Sequence, residues 1–397
     1  MEKVEYSLWQ LVLYFLKLGA TGFGGPVALA GYMHKDLVDS RKWFTDEDYK
    51  EGITLAQLMP GPMATQLAIY LGYIDYKFIG ATLVGVAFVL PSFIMVVLLG
   101  MAYVYFDGLP WMQSLFYGVS AAVIGIIAIS SYRLTNKTIG KDKLLWFIFI
   151  VLAATTFFTK NENVYVILGA GVLTILMQYF KHRKKNSTTI QSWMFPFLNS
   201  NVLLQAATVS TVDNQLLKIF LFFAKAGAFV FGSGLAIVPF LYGGVVKEYH
   251  WLNEQQFLDA VAVAMITPGP VVITVGFIGY IVAGFNGAAL AALGVFLPCY
   301  ILTVLPAPYF KRFAKNIYIK AFVDGVTAAA IGAIVGAVFI LGQRSIIDFP
   351  TAFIAVASAV ILYKFKKIQE PHIVVIAALL GFVIKSLLFA CCSSRLS

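Results

Sequence analysis

A Pro-Gly-Pro sequence occurs twice in the chain, at residues 60–62 and at residues 268–270, and each copy lies inside an apolar segment. Two prolines remove two backbone donors and the glycine between them loosens the turn, so neither segment can form an unbroken helix. In a membrane, the N–H and C=O groups freed by such a break are tolerated only where protein or a polar cavity satisfies them. The duplicated break therefore predicts two matching halves of one binding site.

The composition indicates a polytopic α-helical membrane protein. Of the 397 residues, 60% are hydrophobic and only 12% are charged, as expected for a chain with many membrane-spanning helices. The net charge of +10 lies mostly in short loops, which the positive-inside rule explains without nucleic acid as a partner. The histidines lie in loops, and Cys299, Cys391 and Cys392 lack metal-ligand spacing, so neither a metal nor a cofactor is predicted. No nucleophile–base pair is recognisable at membrane depth, so an enzyme is not expected.

The two breaks belong to a longer duplication with a nearly constant spacing. The matched positions are Lys17 and Lys225, Phe23 and Phe231, Gly24 and Gly232, and Trp43 and Trp251 at a shift of 208 residues, and Pro91 and Pro298, Gly118 and Gly325, and Gly125 and Gly332 at a shift of 207. We predict an N-terminal repeat at 1–180, a basic cytoplasmic linker at 181–215 and a C-terminal repeat at 216–397.

Loop charges indicate that the repeats are inserted in opposite orientations. Loop 34–51 contains four basic residues and its counterpart at 242–258 contains only Lys247, whereas loop 104–111 contains none and its counterpart contains four. Short cytoplasmic loops collect Lys and Arg, so the basic run 181–185 is expected inside and loops 104–111 and 242–258 outside. We predict an all-α polytopic membrane protein with two inverted-topology repeats, about ten transmembrane helices and two Pro-Gly-Pro re-entrant or broken segments.

Lys17 and Lys225 are the charges that most directly suggest a function. Each lies inside its apolar segment, by roughly 10–12 Å, near the middle of a hydrocarbon layer of about 30 Å. A lysine at that depth costs about 2.5–3.5 kcal/mol on insertion scales, so we expect it to face a polar interior and an anionic partner. The alternative is that the long side chain snorkels toward the membrane surface.

Glycine-rich sequences precede both breaks and permit close backbone approach and a further interruption of helix. Such small residues also serve tight helix packing, which is the alternative. Beside a Pro-Gly-Pro break, the unpaired N–H groups of a helix N-terminus suit an oxyanion. The predicted substrate-binding residues are Lys17, Gly24, Gly25, Gln57, Pro60, Gly61, Pro62, Lys225, Gly232, Ser233, Pro268, Gly269 and Pro270, and Thr65, Gln66, Thr267 and Thr274 add side-chain donors nearby.

Two acidic residues, Glu51 and Asp259, occupy corresponding positions, each nine residues before the first proline of its break. Either carboxyl group could pair with a lysine or relay a proton, so both are candidates for proton coupling. The alternative is an ordinary interaction with the dipole at a helix N-terminus, because both residues lie near the start of a segment.

Sequence motifs of the first half, together with their second copy, resemble the chromate ion transporter family in its long, two-domain form. The motifs are Phe15-Leu16-Lys17-Leu18-Gly19, Phe23-Gly24-Gly25-Pro26 and Gln57-Leu58-Met59-Pro60-Gly61-Pro62. The resemblance covers nearly the whole chain. It implies a multi-pass plasma-membrane protein that exports chromate, a tetrahedral dianion like sulfate, at the expense of the proton motive force.

The second half departs from the family pattern at two places. Gly234-Leu235 and Phe240-Leu241 stand where the family often has a Gly-Gly-Gly-His run and a glutamate. A carrier or passive channel for sulfate or another anion is therefore the alternative function. The expected partners are chromate or a similar oxyanion and the lipid bilayer, and a homodimer is an assembly to consider.

Overall fold

The structure is a computed structural model that describes residues 4–23, 25–106, 110–140, 142–159, 164–183, 215–229, 237–310, 316–365, 368 and 370–393. Within these ranges the chain is helical and contains no strand. The helices are α1 (Leu8–Thr21), α2 (Gly25–Met33), α3 (Asp46–Leu58), α4 (Met63–Tyr105), α5 (Pro110–Thr138), α6 (Lys143–Thr159), α7 (Val164–Arg183), α8 (Gln215–Phe229), α9 (Ile237–Leu241), α10 (Glu254–Ile266), α11 (Thr274–Val304), α12 (Ile317–Ser345), α13 (Phe349–Lys364) and α14 (Glu370–Ser393). The π-helical segments His34–Ser40 and Tyr242–Glu248 continue α2 and α9. The predicted all-α fold is confirmed. The predicted basic linker at 181–215 lies almost entirely outside the described residues.

The first two helices form an antiparallel hairpin that turns at Gly22. The N–H of Val4 donates to the Lys42 carbonyl at 3.0 Å, and the Tyr14 hydroxyl donates to the Asp36 carboxylate at 3.4 Å. At 1.5 Å per residue, the 14 residues of α1 span about 21 Å, less than a hydrocarbon layer of about 30 Å. The hairpin therefore turns back before it could cross a membrane, at the glycine-rich interruption that the sequence predicts.

A second hairpin turns at the first Pro-Gly-Pro. Helix α3 begins after Thr45, whose hydroxyl accepts from the Asp48 N–H at 3.1 Å and so caps the helix. After the break, Tyr70 of α4 packs against Gly52 of α3, so the two helices run in opposite directions. With only 13 residues, α3 is also too short to cross a membrane alone, at about 20 Å. The first Pro-Gly-Pro segment is therefore re-entrant in shape.

Helix α4 reverses direction within its length. Lys77 has a φ of 51° and separates two limbs, residues 63–76 and 78–105. The limbs pack so closely that the backbones of Gly72 and Gly80 are in direct contact. A side chain at either glycine would overlap the backbone of the other limb, which explains why both positions lack one.

The second half repeats this arrangement. Helix α10 precedes the second Pro-Gly-Pro, and α11 reverses at Gly284, where φ is 61°. Gly279 and Gly287 are in backbone contact across that turn, as the corresponding glycines are in the first half. The duplication read from the sequence is thus also a duplication of hairpins.

The long limb of α4, residues 78–105, joins the two halves. Its first part packs on α1, where Gly19 meets Phe88. Its last part packs on the second half, where Gly100 meets Tyr280 of α11. Helices α1–α4 and α8–α11 therefore form one unit, which we call the first bundle.

Helices α5–α7 and α12–α14 form the second bundle, and they show the inversion directly. Tyr117 hydrogen bonds Asp348 near the starts of α5 and α13, and Arg133 donates to the Leu362 carbonyl near their ends. Helices α5 and α13 therefore run in the same direction. Gly342 of α12 lies beside Ile124 of α5, and Asp348, just after α12, bonds Tyr117 nearer the start of α5. The corresponding helices α5 and α12 therefore run in opposite directions, as inverted repeats require.

Four helical segments among the described residues are long and apolar enough to cross a membrane, judged by length and composition. They are Met63–Tyr105, Ser114–Asn136, Val271–Tyr309 and Ile317–Gln343. The first and third of these contain the reversals described above, so only their long limbs can span. The polytopic membrane fold is confirmed, and the number of ten crossings stays a prediction.

Candidate functional site

At the first break, the chain passes from α3 to α4 through buried Gly61 and Pro62. Gly61 has a φ of 139°, which residues with a side chain rarely adopt. The Gln66 side chain folds back, and its Nε2 donates to the Pro60 carbonyl at 2.8 Å. Pro62 is the N-cap and makes no side-chain hydrogen bond to the helix, so the first N–H groups of α4 have no intrahelical partner.

The second break also has a glycine with a positive φ, but it forms hydrogen bonds within its own segment. Gly269 has a φ of 92°. Before it, the Thr267 hydroxyl donates to the Val263 carbonyl at 2.6 Å. After it, the Ile273 N–H donates to the Pro270 carbonyl at 2.9 Å, within a 3₁₀ turn that precedes α11.

Each break contacts the opposite half of the chain. The Gly269 N–H donates to the Gly22 carbonyl at 2.8 Å, at the turn of the α1–α2 hairpin. Ser92 lies beside Gly269 and donates from Oγ to the Gly19 carbonyl at 3.2 Å. The second Pro-Gly-Pro is thus hydrogen bonded to a helix interruption of the first half.

The first break has the corresponding neighbour in the second half. A Cβ atom placed on Gly61 would lie 3.0 Å from the Cys299 Sγ, and Cys299 corresponds to Ser92 at the shift of 207 residues. The structure therefore packs each predicted half of the site against the same element of the other repeat.

Two side chains after the first break leave polar atoms unpaired. Thr65 is 1% exposed and Gln66 is 0% exposed, and Thr65 Oγ1 and Gln66 Oε1 have no hydrogen-bond partner among the described residues. Thr65 also lines a cavity of about 440 Å³ between the long limbs of α4 and α11, in which Thr82 and Tyr300 hydrogen bond each other at 2.7 Å. Buried polar atoms are normally paired, so these unpaired atoms single out the first break.

The two predicted lysines occupy equivalent positions in the two halves. Lys17 on α1 and Lys225 on α8 both have exposed side chains in the isolated chain. The Lys17 carbonyl accepts from the Thr21 hydroxyl at 2.8 Å. The two lysines are thus alike in exposure, and their role stays a prediction.

Asp259 is one of the few acidic side chains buried within the described residues. It is 3% exposed, its Oδ2 accepts from the Tyr103 hydroxyl at 2.8 Å, and its Oδ1 accepts from Gln255 Nε2 at 2.9 Å. Gln255 Nε2 also lies 3.4 Å from Ser120 Oγ on α5. Asp259 lies in the second turn of α10, beyond the first turn where the helix dipole acts. It stands instead at the boundary between the two bundles.

Glu51 is the corresponding residue of α3, and it is half-buried. It interacts with the hydroxyl of Tyr70 on α4, which belongs to the same hairpin. Neither tyrosine partner was predicted from the sequence. The available signal was that Tyr70 corresponds to Phe277 and Tyr103 to Phe310 at the shift of 207 residues, so the first half has a tyrosine at both positions and the second half has a phenylalanine at both.

Several of the predicted site residues provide little information about the site. Gly24, Gly232 and Ser233 lie outside the described residues, while Gly25 is the first residue of α2 and the Gln57 side chain is exposed on α3. No group of three or more His, Cys, Asp or Glu side chains that could hold a metal ion occurs in the described part of the chain.

Inverted helical repeats whose broken helices meet inside one bundle define an integral membrane transport protein. A family model described as chromate transporter matches residues 9–175 and 217–382, and the chain belongs to this family. The chromate transport protein of Cupriavidus metallidurans is 64% identical over 384 residues, covering 96% of this chain and 94% of that protein. The probable chromate transport protein of Synechococcus elongatus is 59% identical over 381 residues, covering 95% and 96%.

A more distant relative also spans the whole chain. The chromate transport protein of Pseudomonas aeruginosa is 29% identical over 382 residues, covering 93% of this chain and 90% of that protein. No solved structure matches the chain. The family membership confirms the resemblance read from the motifs, and it makes the chain a transport protein and not an enzyme.

Proposed function

We propose that this protein exports chromate, or a similar tetrahedral oxyanion, across the plasma membrane, driven by the proton motive force. The observation that carries the proposal is the hydrogen bond from the Gly269 N–H to the Gly22 carbonyl, because it joins broken elements of both repeats in one place. The names of the closely similar relatives supply the substrate.

The physical basis of anion binding is the partial positive charge at the N-termini of the broken helices. A helix N-terminus carries about half a positive charge and several N–H groups without intrahelical partners, which suits an anion and repels a cation. At the first break, the N–H groups that follow Pro62 are of this kind. Substrate binding at paired discontinuous helices is the usual arrangement in inverted-repeat carriers.

The charged residues have separate roles in this proposal. Lys17 and Lys225 attract the dianion toward the breaks, since an ammonium group in a water-poor environment acts strongly on a charge several ångströms away. Asp259 and Glu51 exchange the protons that couple transport to the pH gradient. Asp259 is the stronger candidate, because it is buried and hydrogen bonded to both repeats, to Tyr103 of the first and to Gln255 of the second.

The proposal is tested with the purified chain in proteoliposomes. Uptake of labelled chromate and of labelled sulfate is measured with an imposed pH gradient, without one, and with the gradient collapsed by an ionophore. The expected result is chromate flux that rises steeply with the gradient. Chromate flux indifferent to the gradient would favour a passive channel, and flux of sulfate alone would reassign the substrate. No flux of either anion in correctly inserted protein would refute the proposal.

A further inference from the structure

The two breaks differ in the local structure that begins after the second proline. In the second half, the 3₁₀ turn Val271–Ile273 precedes α11. The Ile273 N–H donates to the Pro270 carbonyl at 2.9 Å. The Thr274 N–H donates to carbonyls of the same turn, and the Thr274 hydroxyl donates to the Val271 carbonyl at 2.6 Å. The second break therefore bonds the N–H of its third residue, Ile273, and the hydroxyl of Thr274 within the break itself.

In the first half, α4 begins at once. The first N–H to find an intrahelical partner is that of Gln66, which donates to the Pro62 carbonyl at 3.0 Å. The N–H groups of Met63, Ala64 and Thr65 precede it and have no partner inside the helix. These residues are only 6%, 2% and 1% exposed, so bulk water does not cover their donors either.

A side-chain observation points independently to the same place. The Thr65 hydroxyl is buried without a partner among the described residues, and Thr65 is one of the residues that line the cavity between the long limbs of α4 and α11. Apart from Thr65, Thr82 and Tyr300, that cavity is lined by aliphatic side chains, phenylalanine and glycine. In the second half, Val272 or Ile273 takes the place of Thr65, according to whether the shift is 207 or 208 residues. The free hydroxyl is thus a feature of the first half only.

We propose that the chain binds a single tetrahedral oxyanion at the first break, through the N–H groups of residues 63–65 and the hydroxyl of Thr65. The second break then serves as packing and not as a second site. This inference rests on the proposed function, since it specifies where the transported oxyanion is held.

The chemistry of the site selects the ligand class. All four groups are donors, and the helix N-terminus adds positive potential. No carboxylate lines the cavity, so a cation finds no negatively charged ligand there. A tetrahedral oxyanion can accept from several donors at once, and the burial of residues 63–65 strengthens each of these interactions. A single site reached alternately from the two ends is also what an inverted-repeat carrier needs.

The test exchanges the residues that differ between the halves. Thr65→Val removes the hydroxyl and keeps the shape, and Val272→Thr is the matched control in the second half. Binding of chromate and of sulfate to the purified full-length protein in detergent is measured from the rise of the thermal unfolding midpoint with anion concentration. We expect Thr65→Val to raise the dissociation constant by at least about tenfold, as loss of a hydrogen bond to a charged group does. We expect Thr65→Ser to bind close to wild type and Val272→Thr to bind as wild type.

Each outcome decides a different point. If the wild type binds neither anion, the proposed function fails. If the wild type binds and Thr65→Val binds equally well, only the present inference is overturned. Equal weakening by Thr65→Val and Val272→Thr would overturn the restriction to the first half. Should Thr65→Val fold poorly, Thr65→Ala is measured in its place. Without anion, Thr65→Val is expected to unfold at or above the wild-type midpoint, because it removes a buried unpaired hydroxyl.

Discussion

The acidic residues of the two halves occupy corresponding positions but are held differently. Asp259 in α10 is fixed by Tyr103, which belongs to the long limb of α4 and therefore to the other half. Glu51 in α3 interacts with Tyr70, which belongs to its own hairpin. The second acid thus links the two repeats, whereas the first acid stays within one.

The two acids are held differently because the tyrosine and the phenylalanine beside each acid have exchanged places. Phe277 packs against Tyr103, with ring centroids 5.4 Å apart, beside Asp259. On the side of Glu51, Phe310 of the second half lies in the cluster that contains Tyr70. Each acid therefore has one tyrosine and one phenylalanine nearby, in opposite order. Duplicated halves can keep their packing and still diverge in function, because Tyr and Phe have almost the same shape and differ in one hydrogen bond.

The largest expected effect comes from closing one break at a time. Pro60→Ala combined with Pro62→Ala allows a continuous helix, whose backbone would bond the donors of residues 63–65. Chromate flux should be abolished, while membrane insertion, which depends on apolar length, should persist. The matched variant, Pro268→Ala with Pro270→Ala, should reduce flux but keep anion binding in detergent. Flux and binding are measured for both, and normal flux in the first variant would remove the break from the mechanism.

The next effect concerns the two acids. Asp259→Asn removes a carboxyl group that can exchange a proton and keeps the side-chain shape, so flux driven by a pH gradient should fall at least about tenfold, equivalent to about 1.4 kcal/mol. Glu51→Gln should have a smaller effect, because Glu51 does not connect the halves. Flux is compared at fixed gradients of several sizes. An Asp259→Asn protein that follows the gradient as the wild type does would exclude this residue from proton coupling.

Variants of the two lysines test whether corresponding residues of the two halves still have the same role. Lys17→Met and Lys225→Met each remove a positive charge while roughly keeping side-chain volume, and the half-saturation concentration for chromate should rise at least about tenfold in each. Lys→Arg at either position should retain part of the affinity, because the charge remains although its geometry changes. If half-saturation and maximal flux are unchanged in both Met variants, the lysines snorkel and do not contact the substrate.

The smallest expected effect is on stability. Tyr103→Phe leaves a buried carboxylate without one of its donors and should lower the free energy of unfolding by about 1.5–3 kcal/mol. Tyr70→Phe should cost less, because Glu51 is only half-buried. Thermal unfolding of the two variants in the same detergent gives the comparison. Equal losses would mean that the two tyrosines hold their acids in the same way.

Most helix ends of this fold can be predicted from the sequence, because local chemistry governs membrane insertion. The paired prolines, the glycine interruption at Gly22 and the apolar lengths each determine a helix end by themselves. The contact between Tyr103 and Asp259 joins residues 156 positions apart, and no local pattern encodes it. The exposure of Lys17 has a similar origin, since depth along a helix follows from sequence whereas the direction around the helix axis is set by packing.

The unpaired donors of the first break could not be predicted from the sequence for a different reason. Thr65 and Gln66 are visible as polar residues in an apolar segment. Whether the backbone N–H groups after the break are paired depends on whether the chain enters α-helix directly or through a 3₁₀ turn. That choice separates Met63 from Val271, although both come directly after an identical Pro-Gly-Pro.

The direct backbone contact between Gly72 and Gly80, repeated at Gly279 and Gly287, has a mechanical consequence. Two limbs that touch through their main chains cannot slide past each other by repacking side chains, so each hairpin moves as a rigid lever. At the boundary between the bundles, the contacts are between side chains, such as that of Gln255 with Ser120. We therefore expect relative movement to take place between the two bundles, by repacking of side chains, and not within the hairpins.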